Sequence, residues 1–109
     1  MLMPRDIADE VRAVLRSAHV GKGTERRFLT AYQILERLPA PLRDEVIADR
    51  GLPGKGGGSN YSAASLIADA AESLHGVETA FLDCGGITFS VGKHEVVPGY
   101  PLCGLYRIP

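Results

Sequence analysis

Up to Gly76 the apolar residues of this chain recur with helical spacing, and beyond it they alternate as in a strand. That change of period confines the fold to helices followed by a small sheet. Pro4 suits a first helical turn, Asp6, Asp9 and Glu10 put negative charge near its start, and Ile7, Val11, Val14, Leu15 and Ala18 follow on one face. Gly21-Lys22-Gly23 breaks this helix. Thr24 then reads as an N-cap, and Phe28, Ala31, Tyr32, Leu35 and Leu38 mark a second helix, widened by Leu29 and Ile34 and expected to be the most buried. Pro39 and Pro41 end it, and Leu42, Val46 and Ile47 support a short third helix closing at Gly51.

Residues 62–75 give the clearest helix. Ala63, Ala64, Leu66, Ile67, Ala70, Ala71 and Leu74 share one side, Ser65, Asp69, Glu72 and Ser73 the other, with Ser62 as cap and Gly76 as stop. Strands follow at Thr79 to Leu82, at Ile87 to Val91 and at Leu102 to Ile108, with Glu95-Val96-Val97 as a further short one. Asp83-Cys84-Gly85-Gly86 reads as a tight turn joining the first two, so the sheet is expected to be a meander over residues 78–108. The whole is predicted to be one α+β domain spanning 1–109, with about four helices over residues 4–75 packed on three to four antiparallel strands.

Composition narrows the function. At 109 residues and 45% apolar content the chain builds one modest core, and domains of this size often bury further surface against a second copy. The net charge of −1 is evenly spread, with nine Lys/Arg against eight Asp/Glu in residues 1–50, so no basic domain exists to neutralise phosphates. Nucleic acid is therefore a disfavoured partner. No apolar run reaches the roughly 20 residues that span a bilayer, so no membrane partner is expected. Cys84 and Cys103, in a chain that opens without an apolar signal segment, point to free thiols in a reducing cytoplasm.

The candidate site is the loop Gly54-Lys55-Gly56-Gly57-Gly58-Ser59-Asn60, which runs into the helix at Ser62. Ordering so many glycines costs backbone entropy, so such a loop is either mobile or held by a ligand, and the first amides of a helix suit an anion. Lys55, Ser59, Asn60, Tyr61 and Tyr100 are the expected walls of such a site. Neither Gly-Lys-Gly triplet is a phosphate-binding P-loop, because in each a glycine follows the lysine and a helix precedes it. No cofactor signature, catalytic residue or metal site is assigned: Cys84, His94 and Cys103 lack zinc-site spacing and would need adjacent strands to converge. His75 serves the helix end, and His94 sits in a polar turn.

The order of helices and then a hairpin resembles winged-helix domains, with residues 42–50 and 62–75 as the helix pair and the Ile87 hairpin as the wing. The long 51–61 connection and the acidic outer face of 62–75 speak against DNA reading. Phe28-Leu29-Thr30-Ala31-Tyr32-Gln33-Ile34-Leu35, the glycine loop through Ser62, and Pro98-Gly99-Tyr100-Pro101-Leu102-Cys103-Gly104-Leu105-Tyr106-Arg107 together resemble small bacterial proteins carried on integron-type mobile gene cassettes. That resemblance implies a cytoplasmic accessory protein that self-associates, and it transfers no catalytic residue. The leading expectation is a non-enzymatic binding or interaction module, a homodimer or higher homo-oligomer. A nucleic-acid-binding regulator and a small Cys/His enzyme follow it.

Overall fold

The computed structural model describes residues 1–23, 25–54 and 62–109. Four helices precede most of a small antiparallel sheet, an α+β arrangement: α1 (Pro4–Ser17), β1 (Leu29–Thr30), α2 (Ala31–Arg37), α3 (Ala40–Arg50), α4 (Ala63–Glu72), β2 (Glu78–Asp83), β3 (Phe89–Val91), β4 (His94–Val96) and β5 (Leu102–Arg107). No helix among the described residues is long and apolar enough to cross a membrane.

The apolar stripe of α1 is buried as its spacing requires, from Ile7 through Val11, Val14 and Leu15 to Ala18. α4 packs against α1, α2 and α3, and its Ala63, Ala70 and Ala71 are fully buried where larger side chains would hold the helices apart. α3 ends at Gly51, whose φ of 89° stops the helix there.

The second helix starts later than its periodicity suggests. The Thr30 side chain accepts the Gln33 N–H and the Gln33 side chain accepts the Thr30 N–H, a reciprocal cap that fixes the first turn of α2 at Ala31. Residues 29 and 30 are thereby left extended, and they pair with β5, Leu29 opposite Tyr106 and Thr30 opposite Leu105. Thr24, the expected cap, lies outside the described residues.

The strands do not form a meander. One three-stranded sheet runs in the order β1-β5-β2, and β3 and β4 make a separate two-stranded hairpin. That hairpin turns through Gly92-Lys93, with Gly92 at φ 61°, the first central position that a type II′ turn reserves for glycine. It folds back on α2, where Phe89 stacks on Tyr32 with ring centroids 5.1 Å apart, and Glu36 of α2 accepts the Gly92 N–H. Phe89 and Val91 are buried there, so the hairpin lies against the helices instead of projecting as a wing.

The cysteines are not free. Cys84 and Cys103 form a disulfide across the end of the β2–β5 ladder, with α-carbons 6.1 Å apart. The expectation of free thiols is corrected, and the case for a reducing compartment that rested on them falls with it.

Candidate functional site

Among the described elements, β2 is the one with no buried residue. Thr79, Phe81 and Asp83 are exposed along it and Glu78, Ala80 and Leu82 are half-buried, so no position is fully enclosed. β5 pairs with one side, and among the described residues no strand pairs with the other. The Cys84 N–H donates to the Pro101 carbonyl at 2.7 Å, extending the β2–β5 register by one further pair. In an antiparallel ladder, opposed residues alternate between exchanging both backbone hydrogen bonds and exchanging none. Counting back from Cys84, it is Leu82, Ala80 and Glu78 that bond to β5. Thr79, Phe81 and Asp83 therefore turn their N–H and C=O groups to the open edge.

Only the carboxylates of Glu78 and Asp83, at its two ends, guard that edge. Natural edge strands carry lysine, proline or a bulge against unwanted pairing, but residues 78–83 include neither residue and their register with β5 is unbroken. The Phe81 side chain is 78% exposed, and its cross-strand partner Gly104 has no side chain to cover it. Leu102, 52% exposed and diagonal to Phe81, continues the same face. α4 covers that face further along, where the Tyr106 hydroxyl donates to Glu72 at 3.2 Å. Burial raises the Tyr106 pKa above the ordinary phenol value, and the charges of Glu72 and Asp69 raise it further.

Charge at the two ends of β2 is held locally. Arg107 donates to Glu78 at 2.7 Å, and its guanidinium also lies 4.3 Å from the ring centroid of Phe28. At the other end Asp83 accepts the Gly85 N–H at 3.1 Å. The strand thus offers an apolar centre between two acidic residues, one of them neutralised.

Of the residues expected to wall a ligand site, Lys55, Ser59, Asn60 and Tyr61 lie outside the described residues. Tyr100 is 70% exposed on the connection from β4 to β5. The approach to the glycine-rich loop is placed near that connection, because a β-carbon on Gly54 would stand 2.8 Å from the Val97 carbonyl oxygen. Two amides of the first turn of α4 are engaged: Ala63 donates to the Gly51 carbonyl at 3.2 Å and Ser65 to the Ser62 hydroxyl at 3.4 Å. An anion held through those two amides would have to displace these bonds. Tyr32 is half-buried against Phe89, and burial raises its pKa, partly offset by a hydrogen bond with the Gly99 backbone.

The Cys/His constellation is not assembled. The two sulfurs are bonded to each other, His94 is exposed on β4, and no three His, Cys, Asp or Glu side chains among the described residues converge as a metal cage. An open hollow of about 560 Å³ beside Asp9, Arg12, Ala13, Arg16 and Ser17 follows the outer side of α1 alone and mixes both charges.

No family model matches the chain, and neither a curated protein nor a solved structure matches it. Sequence reasoning missed Phe81 as a site residue. The signal was there in an apolar aromatic at an outward strand position, but a strand paired on both sides would have hidden it.

Proposed function

We propose that this protein is a non-enzymatic interaction module that associates with itself through the open edge of β2. The observation that carries this reading is Phe81, 78% exposed on a strand whose outer N–H and C=O groups meet no second strand among the described residues. A row of unpaired backbone groups with an apolar centre is a template for another strand, and a closed two-fold pair covers it in both copies at once. The net charge of −1 lets two copies approach with little repulsion. The thiols that a small enzyme would use are spent on each other. The acidic outer side of α4, with Asp69 and Glu72 exposed, gives no support to nucleic-acid binding.

Sedimentation equilibrium of the full chain and of Phe81→Glu tests the reading. A concentration-dependent dimer that Phe81→Glu returns to monomer supports it, and a wild-type chain that stays monomeric to millimolar concentration ends it.

A further inference from the structure

Resting on that self-association, we infer that the partner is a second copy whose β2 runs antiparallel with Phe81 on the two-fold axis, making one six-stranded sheet in the order β1-β5-β2-β2-β5-β1.

The backbone of β2 limits the choice of register. Only Thr79, Phe81 and Asp83 aim hydrogen-bonding groups outward, so these three must face the same three of the partner copy. Any register that sets Glu78 against Asp83 mixes an inward-bonded residue with an outward one and leaves both ladders unsatisfied. Centring on Ala80 keeps the hydrogen-bond pattern but sets Glu78 opposite Leu82 and Thr79 opposite Phe81. Centring on Leu82 sets Phe81 opposite the Asp83 carboxylate. Centring on Phe81 brings the two exposed rings together, Thr79 opposite Asp83 twice, and Ala80 opposite Leu82 twice.

The side chains then match in kind. The Thr79 hydroxyl donates to the Asp83 carboxylate, whose Oδ1 already accepts from Gly85. Glu78 stays with its own Arg107 at 2.7 Å, so no two uncompensated carboxylates oppose one another. The aromatic pair lies on the face that carries Leu102, so both copies bury apolar surface that α4 leaves bare.

Two measurements separate this register from the underlying reading. The first is Thr79→Lys, which in the inferred register sets an ammonium group of each copy opposite Asp83 of the other and tightens the dimer by roughly 2- to 30-fold in low salt, a gain that fades at high salt. The second is an isotope-filtered NOE spectrum of a mixed-label dimer. Non-hydrogen-bonded pairs bring α-protons closest, so a contact between Ala80 Hα of one copy and Leu82 Hα of the other is expected. A dimer that Phe81→Glu dissociates, but whose contact joins Ala80 to Ala80 or Leu82 to Leu82, overturns the register and leaves self-association through β2 standing. A dimer that survives Phe81→Glu overturns both. Because Phe81 is exposed in one copy, Phe81→Glu retains its fold, and circular dichroism verifies this.

Discussion

The Tyr106 hydroxyl stands 2.5 Å from the point a β-carbon on Gly104 would occupy. Two residues apart on one face of β5, the pair lets a tyrosine lie along its own strand and still reach Glu72 on α4 at 3.2 Å. A methyl group at residue 104 would push the phenol off that line. Gly104→Ala is expected to destabilise the fold, and to do so by at least about 0.5 kcal/mol less in a Tyr106→Phe background. A double-mutant cycle by urea denaturation measures that coupling, and additive losses would show that the two residues act independently.

Alkaline pH acts on the same tyrosine. A phenol whose pKa is raised in the folded state holds its proton more tightly there than in the unfolded chain. Its contribution is whole below about pH 10, the unfolded value, and drains away as pH climbs towards the folded value. Wild-type stability should therefore fall more steeply above about pH 10 than that of Tyr106→Phe. Tyr32, raised in the same direction, adds a loss of its own that persists in the variant. Denaturation midpoints at a series of pH values, compared between the two chains, check this.

The Cys84–Cys103 bridge closes a loop between residues 19 apart. On the chain-entropy account such a closure is worth roughly 3 kcal/mol. Cys84→Ser with Cys103→Ser should lower the thermal midpoint by a corresponding amount, and reductant should move the wild type towards the variant. If the double-serine variant melts at the wild-type midpoint, the bridge contributes nothing to stability.

Gly54 adopts φ 109°, and a side chain there would meet the Val97 carbonyl oxygen. Both penalties fall on backbone that cannot rotate away. Gly54→Ala is expected to cost about 1–3 kcal/mol, read from chemical denaturation. Gly21→Ala also has positive φ, at 57°, but nothing lies within 4 Å of its β-carbon position, so it should cost less.

Local pattern carried most of the helices because each is specified by its own residues, although α4 ends at Glu72 with Ser73 at its C-cap, short of the stop expected at Gly76. Ile7, Val11, Val14, Leu15 and Ala18 are buried along α1, and Gly51 stops α3 where a glycine was expected to stop it. The start of α2 escaped local reading. Leu29 is apolar at helical spacing, yet its partner is Tyr106 at the far end of the chain, and such long-range pairing leaves no local mark. The meander failed for the same reason. Alternation identified Phe89 and Val91 as strand positions, but it cannot say that β3 pairs only with β4 and that β2 skips both to reach β5. The site was legible only in outline. An uncovered sheet edge follows from so few strands, whereas Phe81 became its centre only once Gly104 stood opposite.

The bond between Cys84 and Cys103 spans the root of the hairpin β3–β4, and the strands on either side, β2 and β5, are direct antiparallel neighbours. In plan this is one simple hairpin with a sixteen-residue excursion spliced into its turn, residues 85–100. The excursion docks on α2 through Phe89, while the two strands already meet without it. A lineage could therefore lengthen or trade the exposed parts of residues 85–100 while leaving the β2 edge intact, provided Phe89, Val91 and Val96 keep their places in the core.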